Sequence, residues 1–388
     1  MRSGSAAGRN NAHRRPLNGV AGTLALLGAL VGLGLPSLAS AAQVDASTGA
    51  QLRVISGNRY GFDEPSALAL AGADLFVANR DGGWGDNGSV TELNASTGAL
   101  VRVISGQHYG FGWPDALAMK GTNLFVANAG GTVSEGSVTE LNVSTGAPVR
   151  VISASQYGFH SPDALALMGD DLLVANGGST YWQNLGSVTE LNASTGALVR
   201  VISGQDYGFD GPGALALKGA DLFVANRGGG PNGKGSVTEL NASTGALVRA
   251  VSAHQYGFNR PEALALSGAH LLVGNCGGAG TDYCGGGSVT EIDASTGALV
   301  RVVSGQLYAF DGPDAMALSG ADLYVANSTS EVDTGSVTEL NASTGALVRV
   351  VSAQQYGFCG PDAMALSGGD VFVANGQCAS LTELGAST

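Results

Sequence analysis

Short apolar runs recur along the chain, and glycine-rich polar turns separate them. In one unit we predict four strands, A to D, at residues 67–70, 75–79, 89–93 and 99–105. An Asn opens the turn between C and D and a Gly closes it, as a short hairpin requires. The rival interpretation is a helix through the Ala/Leu-rich segment around the A–B turn. The glycine inside that segment and the β-branched residues after it favour strands.

The four-strand unit is repeated. The motif P-x-A-[LM]-A-[LM] marks the start of strand A seven times, at intervals of 48 to 52 residues. Its prolines are Pro65, Pro114, Pro162, Pro212, Pro261, Pro313 and Pro361. A period near 50 residues is typical of propeller blades or solenoid turns. We therefore predict an all-β fold, a seven-bladed β-propeller of four-stranded antiparallel blades.

The repeat is interrupted between strands C and D. The seventh unit ends with the strand C sequence "SLTEL", and a strand D sequence, "AQLRVIS", stands alone at residues 50–56. We predict that this N-terminal strand completes the last blade and closes the ring, with Glu383 facing Arg53 as Glu92 faces Arg102. The alternative is an open solenoid, which would leave an unpaired strand edge at each end.

The strand directions place the loops on two faces. The A–B and C–D turns are short and nearly identical, and they lie together on one face. The B–C and D–A loops lie on the other, and the B–C loops differ most, as in "RDGGWGDNG" and "GGSTYWQNLG". A constant scaffold with varied loops on one side is typical of binding proteins. We therefore expect the functional site on this second face, which we call the variable face.

Two motifs resemble known repeats. "LFVAN" followed by "GSVTELNASTGALVRVISG" resembles the YVTN-type repeat of bacterial surface propellers, and "F-x-x-P-x-A-L-A" is similar to the start of NHL-type blades. The resemblance covers residues 44–388 and implies a propeller. These families include scaffolds, binders and some enzymes, so the function has to be argued from the site.

Residues 1–41 have the pattern of a signal peptide, which leaves residues 42–388 for the propeller. Four arginines precede an apolar core, and Ala39-Ser40-Ala41 is a small-residue cleavage site. Sec export, twin-arginine export and an uncleaved anchor are all open, and no later stretch could span a bilayer. The mature chain keeps 14 basic residues against 31 acidic ones, a formal charge of −17. Such a surface repels nucleic acid.

Large aromatic residues interrupt the polar loops of the variable face. Trp84, Tyr181 and Trp182 lie in B–C loops and Trp113 in a D–A loop, all within the first three units. Loop tips seldom need such rings, so we predict that the four residues stack on a sugar or peptide. The alternative is that they fold back and cover the blade ends.

Oxygen-bearing residues recur at the ends of strands A and B. An asparagine ends every strand B: Asn79, Asn128, Asn176, Asn226, Asn275, Asn327 and Asn375. An acid follows the proline in five units, with Ser66 and Gly213 as exceptions: Asp115, Asp163, Glu262, Asp314 and Asp362. The arrangement resembles the mouth of gluconolactonase-like propeller hydrolases, which implies calcium or magnesium. The alternative is that each asparagine caps its own loop.

Other recurring residues have structural interpretations. The Glu of strand C and the Arg of strand D form a cross-strand pair, and "Tyr-Gly-Phe" before each proline packs between blades. Four cysteines in an exported chain favour disulfides over a zinc site, and we predict Cys276–Cys284 and Cys359–Cys378. No catalytic motif such as H-E-x-x-H or G-x-S-x-G occurs.

Together these features predict an exported, monomeric, non-enzymatic propeller, either secreted or at the cell surface. Its ligand would be an extracellular carbohydrate or protein bound on the variable face. Two alternatives stay open. One is a divalent-metal-dependent hydrolase or lactonase acting at the central mouth, and the other is a purely structural envelope component.

Overall fold

The structure, a computed structural model, describes most of the chain from residue 51 to residue 385. The described ranges are 51–83, 85, 87–130, 135–178, 186–252, 254–277, 286–328, 334–352 and 356–385. All of them belong to one compact unit, residues 41–388. The predicted signal peptide lies outside the described residues. Within them, no helix has the length and apolar character needed to cross a bilayer.

The described residues form 28 strands, numbered here in chain order. β1 is Gln51–Ser56. The first three complete blades are β2 to β13: Pro65–Ala71, Asp74–Asn79, Ser89–Asn94, Leu100–Ile104; Pro114–Lys120, Asn123–Asn128, Ser137–Asn142, Pro148–Ile152; Pro162–Met168, Asp171–Asn176, Ser187–Asn192, Leu198–Ile202. The next three are β14 to β25: Pro212–Lys218, Asp221–Asn226, Ser236–Asn241, Leu247–Val251; Pro261–Ser267, His270–Asn275, Ser288–Asp293, Leu299–Ser304; Pro313–Ser319, Asp322–Asn327, Ser336–Asn341, Leu347–Ser352. The last strands, β26 to β28, are Pro361–Ser367, Asp370–Asn375 and Ser380–Gly385.

Short 3-10 turns are the only helical segments in the described ranges. Six lie in D–A loops and one in a B–C loop: Asn58–Tyr60, Gln107–Tyr109, Ser155–Tyr157, Gln205–Tyr207, His254–Tyr256, Gln306–Tyr308 and Pro231–Gly233. The helix that competed with strands A and B in the sequence is absent from the described residues.

The strands form seven antiparallel four-stranded sheets, and β1 completes the seventh. Its order is β1-β28-β27-β26, whereas the other six sheets run in chain order. Arg53 lies opposite Glu383 and forms an ion pair with it, and Ile55 lies opposite Leu381. The predicted seven-bladed propeller and its closure by the N-terminal strand are both confirmed.

The first strands of neighbouring blades contact each other all the way round, so strand A is the innermost strand of each blade. Strand B is buried on both faces, since each blade packs between two others. One core cluster, for example, joins Phe76 and Val90 of the first blade to Phe111, Leu124 and Val126 at the second. Burial on both faces explains why strand B is a continuous apolar run and does not alternate with polar residues.

The recurring Glu and Arg form cross-strand pairs within each blade, and the recurring aromatic residues pack between blades, as predicted. Glu92 lies directly opposite Arg102 and forms an ion pair with it, and Arg102 also donates to Val143 O at 3.1 Å in the next blade. Tyr60 and Phe62 stack at 5.2 Å between ring centroids, and Phe62 enters the core between the last and first blades. These groups belong to the scaffold.

The start of strand A has an unusual backbone, and this backbone forms the mouth of the ring. Pro65 pairs with Asn79 and Ala67 with Ala78, so the intervening Ser66 is the extra residue of a β-bulge. The same bulge occurs in all seven blades. The residue before each proline has a positive φ; in four blades it is not glycine: Glu64, Trp113, Ser161 and Arg260. Bulges of this kind redirect side chains.

Candidate functional site

The bulged position is an acid in five blades and a small residue in two. Those two blades, the first and the fourth, have an arginine immediately after the strand B asparagine: Arg80 and Arg227. Each arginine pairs with acids at the bulges of neighbouring blades. The mouth is therefore a ring of charges in which two blades contribute cations and five contribute acids.

Arg227 bridges the two blades on either side of its own. Its Nη1 donates to Asp163 Oδ2 at 2.6 Å, and its Nε donates to Glu262. Burial alone would lower the pKa of Arg227, but Glu262 and Asp163 raise it above its usual value. A Cβ on Gly213 would stand only 2.8 Å from Arg227 Cζ, so glycine leaves the space that the guanidinium occupies.

Arg80 pairs on one side only. Its Nε donates to Asp115 Oδ1 at 2.8 Å, and the preceding blade's acid, Asp362, has no ion pair to any arginine in the ranges the structure covers. Burial raises the pKa of Asp115, and the charge of Arg80 partly offsets the effect. The first blade has Ser66 where the fourth has Gly213, and the Ser66 hydroxyl donates to Pro114 O at 2.6 Å.

Asp314 and Asp362 form the part of the ring without arginine partners among the described residues. Each of the two carboxyls forms a hydrogen bond with the Ser328 hydroxyl. Burial raises the pKa of Asp314 to about 8, and the charges of Glu262 and Asp362 add to this effect. Burial raises the pKa of Asp362 to about 6, opposed by Arg80 and Ser328. Near neutral pH, Asp314 is therefore protonated and Asp362 mostly ionised.

A polar cleft of about 190 Å³ opens beside Asp362, at the seam between the seventh and first blades. Its lining combines carboxylates, a guanidinium, a hydroxyl, an amide and bare backbone: Glu64, Asp362, Arg80, Ser66, Gln377 and Gly376. A Cβ on Gly376 would stand 2.1 Å from Asp362 Oδ2, so the carboxylate lies directly against this glycine. The volume suits one side chain or one small polar group better than a drug-sized ligand.

The asparagine ring lies inside the blades. Each Nδ2 donates to a Ser and a Thr of strand C, for example from Asn226 to Ser236 Oγ and Thr238 Oγ1, both at 3.1 Å. The Oδ1 atoms of Asn128 and Asn275 accept from D–A loop amides at 3.4 Å. In the other five blades Oδ1 accepts no hydrogen bond from the described residues. The side-chain amides therefore link strand B to strand C, and only two of the seven oxygens contact loop backbone among the described residues.

The predicted metal ligands are only partly brought together. Asp115 and Asp163 are engaged by arginines, which compete with a divalent cation, while Asp314 and Asp362 are not. Among the described residues, no group of three or more His, Cys, Asp or Glu is placed to hold an ion. The described residues of the ring therefore do not converge on one ion, and calcium or magnesium binding stays a prediction.

One of the four predicted ligand-binding aromatics can be placed. Trp113 is half-buried at the variable face and has a φ of 54°. Its backbone N–H donates to Asn87 O at 3.2 Å in the B–C loop of the first blade. The residue before the proline has a positive φ in all seven blades, so this conformation of Trp113 belongs to the shared scaffold. Trp84, Tyr181 and Trp182 lie outside the described residues, so their clustering with Trp113 stays a prediction.

One predicted disulfide is present at the variable face. Cys359 and Cys378 are bonded across the ends of the last blade, with 5.7 Å between their Cα atoms. Cys276 is fully buried at the end of strand β19, but its predicted partner, Cys284, lies outside the described residues. The Cys359–Cys378 prediction is confirmed, and Cys276–Cys284 stays a prediction.

Similarity to known proteins extends to the fold alone. Neither a protein family nor a curated protein matches this sequence. Among solved structures, Kuenenia stuttgartiensis hydrazine synthase is similar over 84% of this chain and 96% of its own, with a TM-score of 0.63 and 18% identity. BamB from Moraxella catarrhalis covers 87% of this chain and 97% of its own, with a TM-score of 0.54 and 13% identity.

A third similar structure is the β-propeller domain of Cps50 (Swd1) from Myceliophteria thermophila. It covers 85% of this chain and 98% of its own, with a TM-score of 0.59 and 13% identity. Identities this low support the propeller architecture and carry no residue roles, so the function has to be argued from the mouth and loops of this chain.

Proposed function

We propose that this propeller is an exported, non-enzymatic binding protein whose ligand, an extracellular or cell-surface carbohydrate or protein, docks on the variable face. The observation that carries the proposal is the contrast between the two faces. On the opposite face the C–D turns repeat one hydrogen-bond pattern, in which Asn94 Oδ1 accepts from Thr97 N at 3.0 Å. At the variable face the blades differ from one another: Trp113 occurs in one blade only, and an arginine follows the strand B asparagine in two blades, as Arg80 and Arg227.

The disulfide supports the export part of the proposal. Disulfides form and persist in oxidising compartments, and Cys359–Cys378 joins two loops of the variable face. A covalent link there restricts the loops next to the polar cleft. Restricting a binding loop before its ligand arrives lowers the entropy cost of binding.

Carbohydrate-array and protein-binding screens test the proposal. Replacing Trp84, Trp113 and Trp182 with Ala should weaken binding of a ligand found in the screen at least about tenfold, because each ring would supply buried contact area. The matched control is Lys120→Ala. Lys120 pairs with Asp170 on the opposite face, so its loss should leave binding unchanged. Undiminished binding by the triple variant would refute the aromatic site, and a screen without any ligand would favour a structural role.

A metal-dependent hydrolase or lactonase is the second candidate, and one observation favours it. Asp314 and Asp362 have no arginine partner within the described residues, and the Oδ1 atoms of Asn327 and Asn375 in the same two blades accept no hydrogen bond there. Oxygen ligands of this kind suit calcium or magnesium. Calorimetric titration with either ion tests this candidate.

A further inference from the structure

The first and fourth blades have the same two residue types at equivalent positions of the mouth, but their arginines make different contacts. In both, a small residue replaces the bulge acid and an arginine follows the strand B asparagine. In the fourth blade Arg227 contacts the acids on both sides, Asp163 and Glu262. In the first blade Arg80 contacts only the following acid, Asp115. In the fourth blade the arginine pairs with the acid of the preceding blade, Asp163, whereas in the first blade the equivalent acid, Asp362, has no such pair among the described residues.

The difference between Ser66 and Gly213 accounts for the two states. Atoms of the Arg227 guanidinium would lie 2.8 to 2.9 Å from a Cβ at position 213, closer than a side chain at that position permits. Ser66 has that Cβ, and its hydroxyl is held by Pro114 O at 2.6 Å. An arginine in the first blade is thereby kept out of the position that Arg227 occupies. Arg80 instead stays nearer the surface, with 45% of its side chain exposed, compared with 36% for Arg227.

The position from which Ser66 excludes the Arg80 guanidinium lies at the polar cleft between the seventh and first blades. Asp362 is fixed there against Gly376 and hydrogen-bonded to Ser328, and Glu64 provides a second carboxylate in the lining. The charged groups that act on Asp362 from neighbouring elements are Arg80, Glu64 and Asp115. Because Arg80 is committed to Asp115, the carboxylates of the cleft have no cation in direct contact within the described chain. A cationic group of a ligand would form an ion pair with Asp362, as Arg227 does with Asp163.

We propose that the cleft lined by Glu64, Ser66, Arg80 and Asp362 binds a guanidinium or alkylammonium group, supplied either by a small cationic molecule or by an Arg or Lys side chain of a polypeptide. The inference rests on the proposed binding function and names the group that the ligand inserts. A bidentate pair between guanidinium and carboxylate in a partly enclosed cleft is stronger than a fully exposed ion pair. The strongly acidic mature chain further favours the approach of a cation.

Calorimetric titration with Nα-acetylarginine amide tests the site, with the uncharged citrulline analogue as its matched control. We expect the arginine compound to bind at least about tenfold more tightly, because removing the charge of one partner leaves a carboxylate unpaired in the cleft. An acetylated and amidated peptide with one Arg among Ala residues separates the two sources. Tighter binding of the peptide indicates a polypeptide ligand, and equal binding indicates a small cation. Equal affinity for the arginine and citrulline compounds, or no binding of either, overturns the proposal.

Two substitutions at equivalent positions locate the binding. Ser66→Gly should let Arg80 settle between Asp115 and Asp362, as Arg227 does between its partners, and should weaken binding at least about tenfold. Asp362→Asn should have a similar effect without this rearrangement. Gly211→Ala, at the fourth blade, leaves the seam unaltered and should retain full affinity. Unchanged affinity in both Ser66→Gly and Asp362→Asn contradicts the assignment to this cleft.

The experiments on the cleft and the screens for a ligand of the variable face can fail independently of each other. If a ligand from the screens binds Asp362→Asn as well as the unaltered protein, the variable face still binds and only the cleft assignment fails. If the screens find no ligand, the titration with Nα-acetylarginine amide still tests the cleft by itself.

Discussion

Removal of residues 44–57 should lower the melting temperature by about 10 °C or more, because it opens the ring at its only split blade. The deleted segment contains β1, which forms the outer strand of the seventh sheet. Its loss removes Ile55 from the core between the last and first blades and leaves Glu383, whose side chain is 5% exposed, without Arg53. A buried charge that loses its partner alone costs about 3–5 kcal/mol.

The control is a variant in which the segment 44–57 has the same length and composition but a scrambled sequence. It should be destabilised like the deletion, since pairing depends on Arg53 lying opposite Glu383 and Ile55 opposite Leu381. Adding a synthetic peptide of residues 44–57 to the deletion variant should recover part of the lost melting temperature. A deletion variant that melts like the unaltered protein would refute the stabilising role of the closure.

Arg227→Ala should destabilise the protein by about 3–5 kcal/mol at pH 7.5, the range for removing one partner of a buried ion pair. Asp163 and Glu262 have side chains only 11% and 10% exposed, and both lose a direct cation. The remaining acids would also repel each other across the mouth. Urea unfolding at pH 7.5 measures the loss.

Arg80→Ala is the matched control. Arg80 contacts a single buried acid, whereas Arg227 contacts two, so its removal should cost about half as much as the removal of Arg227. Equal losses for the two variants would contradict the bridging role of Arg227.

The scaffold could be predicted from sequence because each of its features recurs in every unit. The 50-residue period, the turn residues and the displaced strand D sequence determine the blade number and the closure. The predicted strand limits differ from those observed by at most two residues; strand A of the first blade, for example, is Pro65–Ala71. Strand A is longer because the bulge after the proline lets Pro65 itself pair with Asn79.

The mouth was harder to predict because its chemistry depends on departures from the repeat. Five acids and seven asparagines form one ring in the repeat pattern, which does not indicate the roles of Glu64, Arg80, Arg227 and Ser328. One signal was present: the two units without an acid after the proline are the two with an arginine after the asparagine. That correlation alone does not show that Arg227 contacts two acids and Arg80 one. The ion pairs of the folded chain show this, and the space that Gly213 leaves for Arg227 becomes visible only in the fold.

Two arginines divide the charge of the mouth unequally and leave Asp314 and Asp362 without an arginine partner among the described residues. The most direct measurement is the titration of these carboxyls by carbon NMR in protein labelled at aspartate, assigned with Asp314→Asn and Asp362→Asn. Because burial raises both pKa values, Asp314 should titrate near pH 8 and Asp362 near pH 6. Titration of both groups near pH 4, as for exposed aspartates, would contradict the account.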